Sequence, residues 1–510
     1  MTALMCGIET MDKRDIKSWL AEACMLISIV SLSCSNEIYG SVAIKARYIP
    51  SHTTASFKPL SLPAGSDKVI ITITGTDFKP IVQEVSVATN PSGVTIHGIP
   101  AGQERSVGIE VQDESHHGIA KGKTTGVAIH AGSISNVDIL ITQVGVFTQL
   151  NAKVLARAFA VSSLLPDGGY MIMGGMTDRQ SACGDGCVQL SATQETEIYD
   201  PDTGTFRQGP RMAEARVFFT ANELPDGSIA VIGGTDVVHV SCMVTACSIT
   251  IPQDHIKTSI EVFDPVSNSF YKAQTLSVPR AGHTANLFSG NNLLIAGGIS
   301  RYGPVNSAEL LDIKTGKEVL FTMSFTRAFQ TAFAFQDNAL FLAGGTGSNN
   351  QTEFFQPSGF TPSNTITCAA YFPSSAFMDS TGLAVLNGGL DADRQPISQL
   401  IIMDPVNRAV LSYHTMPFPR ALFSDIVLSD GNILIAGGII NSVFAVSDEA
   451  EVFNPRSKLF EKYPLLSTAR AGYAAQSLRD GSSLLVSGFS NINPLSGPIT
   501  FADTAEIYNP

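Results

Sequence analysis

The chain has 510 residues, of which only 15% are charged, with 44 glycines, one tryptophan and a formal net charge of −13. That texture is β-rich, and with no cluster of lysine and arginine it excludes nucleic acid as an expected partner. The length allows about three domains, although all-β barrels and rings run long as single units.

Residues 1–34 read as an export leader. Lys13, Arg14 and Lys17 precede the apolar run Met25–Leu32, which is too short to span a bilayer and suits a signal-peptide core. Ser31 and Ser33 offer small residues for cleavage before Cys34, which is also a lipidation candidate, as in bacterial lipoproteins. Ser31-Leu32-Ser33 departs from the usual Leu-Ala-Gly lipobox, and Glu9, Asp12, Asp15 and Glu22 dilute the basic charge. Translation from Met11 and a buried amphipathic N-terminal helix are the alternatives. The expectation is an exported protein, periplasmic, outer-membrane-associated or extracellular, with membrane attachment through Cys34 as an option.

Residues 40–142 carry short alternating segments, Val69–Gly75, Val94–Pro100, Val107–Gln112, Val127–His130 and Val137–Thr142, separated by Gly, Asn and Asp turns. Strands at that spacing predict a small β-sandwich, loosely similar to the Ig-like or prealbumin-like modules found ahead of propellers. His116 and His117 stand on a turn without a further ligand at metal spacing, which reads as solvated loop.

From residue 145 onward one unit repeats seven times. Arg157, Arg216, Arg280, Arg327, Arg420 and Arg470 each stand seventeen residues before a Gly-Gly pair or, in the last copy, Ser487-Gly488. An acidic-aromatic turn follows, led by Glu197, Glu261, Glu309, Glu353, Glu451 and Glu506. The fifth copy keeps the spacing but has Tyr371 for the arginine and Ile401 for the glutamate. Turns such as Pro166-Asp167-Gly168 and Pro225-Asp226-Gly227 predict tight hairpins, and the runs after them, such as Ile229–Ile232, are continuously apolar, as strands buried on both faces are. A period of about 40 to 50 residues with paired glycines predicts a propeller.

This order of motifs resembles the kelch repeat over residues 145–510. The resemblance implies a seven-bladed propeller, with Phe206, Phe270 and Phe460 in the blade-closing position that the family usually gives to tryptophan. The chain stops after the third strand of the seventh copy. Phe147 stands ten residues before Arg157, as Phe206 does before Arg216, so 145–150 is expected to supply the missing outer strand and close the ring. The joint loss of arginine and glutamate in the fifth copy predicts that the six remaining Arg–Glu couples are structural ion pairs.

Cys183, Cys187, Cys242 and Cys247 lie between glycine pair and acidic motif in copies one and two. Export would make them disulfides, within or between loops, with zinc thiolates the lesser alternative. Cys368 reads as a buried thiol. The intervening segments are longest in copies two, one and seven, with 26, 21 and 17 residues, which stand together in a closed ring. Length spent on one side of a symmetric scaffold points to binding, with Asp178, Arg179, Asp185, His239, Asp254 and His255 as candidate contacts and Tyr302 and Phe360 as available aromatics. The segments covering the N-terminal domain is the bland alternative.

The layout is also similar to galactose oxidase and glyoxal oxidase. Arg280-Ala-Gly-His283 and Arg470-Ala-Gly-Tyr473 each lack one half of that family's Tyr-His pair, and Tyr413-His414 lies in the wrong strand, so copper is not expected. The reading is a monomeric, non-enzymatic interaction protein without cofactor or metal, binding a protein or glycan. A carbohydrate-active kelch enzyme of the sugar-epimerase kind is the alternative.

Overall fold

The computed structural model describes residues 39–510 apart from 50–61, 88–93, 335–338, 349–350, 364–367, 370, 379–381, 405–406 and 408. The leader, Met11 and Cys34 lie outside the described residues. The described chain is all-β, with a single 3-10 turn at Gln253–His255.

Seven strands make up the N-terminal part: β1 (Tyr39–Ile49), β2 (Ser66–Gly75), β3 (Phe78–Ser86), β4 (Val94–Pro100), β5 (Gly102–Asp113), β6 (Gly118–Ile129) and β7 (Ile134–Gln143). They join in the order β3-β2-β5-β6-β7-β1-β4, with β1 and β7 parallel and the other pairs antiparallel. All seven belong to one nearly closed sheet, where two packed sheets were expected. Alternation supplies the reason: Val42, Ile44, Ile71, Ile73, Val107, Ile109, Val111, Ile139 and Ile141 all turn to one interior, so a single curling sheet buries them.

Among the described residues the rest of the chain forms seven successive sheets, six of four strands and the third of five. The first is Val161–Leu164, Tyr170–Met173, Thr196–Asp200 and Thr205–Gln208. The first strands of the seven sheets, Val161–Leu164, Thr220–Glu223, Thr284–Ser289, Thr331–Ala334, Ser374–Met378, Ser424–Val427 and Ala474–Ser477, neighbour one another in a closed cycle. Second strands such as Tyr170–Met173, Ile229–Ile232 and Ile433–Ala436 are buried at every position, because a sheet flanks them on each face. The seventh sheet takes its fourth strand from β8 (Phe147–Gln149), which pairs with Ala505–Tyr508 so that Phe147 stands opposite Tyr508.

The glycine pairs hold the junctions between sheets. In the first pair Gly174 and Gly175 have φ of 59° and 96°. A Cβ on Gly174 would lie 2.6 Å from the Arg216 carbonyl oxygen, and the Gly175 N–H donates to that same oxygen at 2.8 Å. Gly234, Gly298, Gly389 and Gly438 make the equivalent bond to Arg280, Arg327, Arg420 and Arg470. Gly488 makes it to Arg157, joining the last sheet to the first. Ser487, at φ 58°, takes its place with a hydroxyl that accepts from the Arg157 N–H and donates to the Arg157 carbonyl, both at 2.7 Å.

Candidate functional site

The repeated arginines and glutamates meet inside the sheets. Arg157–Glu197 closes at 2.6 Å, Arg216–Glu261, Arg327–Glu353 and Arg420–Glu451 at 2.8, 2.8 and 2.7 Å, and Arg280–Glu309 and Arg470–Glu506 at 2.5 Å. Each guanidinium also donates to the carbonyl seventeen residues on, that of Gly174, Gly233, Gly297, Gly344, Gly437 or Ser487. The carboxylates accept backbone N–H groups of the segment before an arginine, such as Ser277 to Glu309 and Ser467 to Glu506. Such partners pair the buried charges and leave the guanidiniums no face toward solvent, with Nε of Arg157, Arg280, Arg327, Arg420 and Arg470 buried without a hydrogen-bond partner.

The candidate binding segments are not free loops. Cys247–Thr250, Val237–Cys242, Cys187–Ala192 and Met176–Gly184 pair in that order, and the last pairs with β9 (Arg157–Ala158), making a separate five-stranded sheet that caps one end of the cycle. Period-two alternation explains it: Leu190, Val238 and Val240 turn inward, while Gln189, His239 and Ser241 turn out. The inward side chains share a core with Phe218, Leu422 and Phe444 and with Phe489, Ile492 and Ile499 of the seventh sheet's long segment. Removing these segments would uncover the core beneath, so they are part of the fold as well as a surface. They do not cover the N-terminal sheet, which rests on the opposite turns, where Thr124 donates to Asp202 at 2.6 Å and Asn509 to the Lys121 carbonyl at 2.9 Å.

The cysteines pair within each hairpin, Cys183 with Cys187 and Cys242 with Cys247. Asp178, Arg179 and Asp185 are exposed on the first hairpin. His239 faces Gln189, whose amide oxygen is 3.2 Å from Nε2. His255 is drawn to Asp236 at 2.6 Å, beside Lys257, which bridges Asp236 and Glu214, while Asp254 stays exposed. The second hairpin is clamped by its disulfide and presents Met243 and Val244 at 72% and 89% exposure, with Leu495 exposed on the neighbouring segment. Its base is tied to the sixth sheet, where the Cys247 N–H donates to Ser442 and Ser442 Oγ to the Thr245 carbonyl. Tyr302 is exposed on the third sheet's turn, Phe360 stacks on Phe355 at 4.8 Å, and Tyr413-His414 stands on the outer strand Ala409–Thr415.

Beneath the cap lies an axial cavity of about 290 Å³. Its collar is Phe159, Phe218, Phe329, Phe372 and Leu422, all at positive φ, with Gly282 and Gly472 where a side chain would strike Phe329 or Phe159. Ring centroids 4.6 to 5.0 Å apart couple Phe159–Phe218, Phe218–Phe329 and Phe329–Phe372, and this packing holds bulky residues in the left-handed region. The polar lining includes the third residue after three of the arginines, His283, Gln330 and Tyr473, with Ser374 and Ser424 beside them. Burial pushes His283 down to about 3, so its imidazole is neutral. The Tyr473 hydroxyl donates to the Ala436 carbonyl at 2.6 Å. Among the described residues the lining contains no carboxylate, lysine or arginine. Behind it, burial pushes Asp425 up to about 7, its one partnered oxygen accepting from Asn387 at 3.1 Å and the other having no partner.

A second cavity, of about 380 Å³, separates the N-terminal sheet from the first and seventh repeat sheets. Glu104, Asp167, Asp202 and Asp480 line it with Lys123, Arg207 and Arg479, and burial raises the carboxyls of Asp202 and Asp480. Neither this cleft nor Asp425 was singled out by the sequence. The cap was missed although the alternating Val237-Val-His-Val-Ser-Cys242 and Cys187-Val-Gln-Leu-Ser-Ala192 carry the strand signal. No family model matches the chain, and no curated protein matches it.

Proposed function

We propose that the chain is an exported kelch-type, seven-bladed β-propeller, and that it binds a protein partner through the outer face of the cap. What carries this reading is the cap itself: two hairpins from adjacent sheets, each closed by a disulfide, hold Met243 and Val244 in solvent on a sheet whose inner face is spent on the core. Exposed apolar side chains fixed on a rigid support are what a protein interface uses as anchors, because little conformational entropy is lost on docking. Disulfides support an oxidising compartment. The apolar tip favours a protein over a glycan, which stacks on flat aromatic surfaces.

The test uses Met243→Asp with Val244→Asp, whose side chains make no core contact, and Gln330→Leu on the axial cavity. Cross-linking of the purified chain to the exported fraction of its source cells should give an adduct that the tip variant loses at unchanged melting temperature. Loss with Gln330→Leu instead, or saturable turnover of a sugar, would move the function to the axis and favour the enzymatic alternative.

A further inference from the structure

We propose that the Cys183–Cys187 disulfide masks a binding site for a soft metal ion of the zinc type, formed on reduction by the two thiolates and His239. The donor atoms of the three side chains lie within 4.8 Å of one another on the outer face of the cap. Backbone pairing fixes that neighbourhood. Cys183 and Cys187 flank the Gly184-Asp185-Gly186 turn with Cα atoms 5.1 Å apart, and Cys187 stands opposite Ser241, two residues from His239 on the adjoining strand. The side chains of Cys187, Gln189, His239 and Ser241 therefore share one face.

The second disulfide provides an internal contrast. Cys242 and Cys247 are buried at 5% and 0% exposure and no histidine among the described residues joins them, whereas Cys183 is exposed. Gln189 supplies the outer contact that metal-binding imidazoles use: its amide oxygen, 3.2 Å from Nε2, can only accept, which assigns the proton to Nε2 and the Nδ1 lone pair to an ion. Two sulfurs and one imidazole match zinc's preference, with the fourth position left to solvent.

The chemistry balances with an external dithiol. Its two thiols reduce the Cys183–Cys187 bond by exchange, forming a new disulfide in the reductant and two cysteine thiols in the protein. A divalent ion then displaces the two thiol protons into solvent. In an oxidising compartment the site is closed, and it opens where dithiols are abundant. This inference is independent of the proposed partner, since metal uptake is measured on the purified chain alone.

The experiment is a titration of the full chain with zinc against a chromophoric chelator, and with cobalt(II) as spectroscopic probe, before and after anaerobic reduction and removal of the dithiol. The reduced wild type should take up one equivalent more than reduced Cys183→Ser with Cys187→Ser, with thiolate-to-cobalt charge-transfer bands absent from the oxidised chain. Gln189→Leu should weaken uptake about ten-fold. His239→Ala should weaken it further, and melting of the oxidised variants should match wild type. Uptake equal in the oxidised chain, equal in the serine variant, or undiminished by His239→Ala would overturn the proposal.

Discussion

The fifth repeat sheet and the other six solve the same packing problem with opposite chemistry. Six sheets place a guanidinium and a carboxylate in the interior as an ion pair, while the fifth puts Ile401, 1% exposed, where the glutamate stands and Ala369, not the expected Tyr371, where the arginine stands: the Ala369 carbonyl faces Gly344 as the arginine carbonyls face the other glycines, and Tyr371 bridges Leu390 as the residues after the arginines bridge theirs. Ile401 joins Phe341, Phe354, Leu386 and Met403 in an apolar cluster between sheets. The pair is thus replaceable as a pair, which is what the desolvation cost of buried ions leads one to expect. A lone member would leave a charge without partner or water.

Putting half of the pair back should have the largest effect. Ile401→Glu buries a carboxylate with no arginine to meet it, and urea unfolding should show a loss of about 3–5 kcal/mol. A variant as stable as wild type would break the comparison.

The junction beside the fifth sheet sharpens it. Asp425 is the enclosed carboxyl there, with Asn387 at the end of the fifth sheet's second strand, Ser374 on its first, and Arg420 as the charged group acting on it. Its folded value of about 7 lies above the ordinary 3.8, so the folded state binds the proton more tightly than the unfolded one. The resulting stability is complete below pH ~4 and is lost as pH rises through about 7, on the order of a few kcal/mol. Unfolding midpoints at pH 5 and pH 8 should therefore differ for wild type and converge for Asp425→Asn. Equal slopes in the two proteins would remove Asp425 as the cause.

At the other extreme stand the exposed charges of the cap. Asp178→Ala and Arg179→Ala touch no core side chain, and differential scanning calorimetry should show changes within about 0.5 kcal/mol. A larger loss from either would mean that the cap's outer face is built into the fold as its inner face is.

The repeat was legible because its signals are local. Arginine, glycine pair and glutamate keep fixed distances along the chain, and Phe147 announces the strand opposite Tyr508 by standing ten residues before Arg157. What escaped the sequence depends on residues far apart in the chain. The cap is assembled by pairing Cys187–Ser191 with Val237–Ser241, a register that neither hairpin reveals alone. Likewise the N-terminal strands alternate as a sandwich would, and only the parallel pairing of β1 with β7 draws them into one sheet. Asp425 looks like any strand-end acid until Asn387 and Ser374 arrive from the neighbouring sheet.

The claim at the centre of this account is that the repeated Arg–Glu pairs are scaffold, exchangeable only together. A double-mutant cycle on Arg280→Met and Glu309→Ile, which makes both positions apolar as Ala369 and Ile401 are in the fifth sheet, tests it most directly when read by urea unfolding. Each single variant should lose about 3–5 kcal/mol and the double, rebuilt on the pattern of the fifth sheet, should recover most of that loss. Additive losses in the double, or a fully stable Arg280→Met single variant, would contradict the claim.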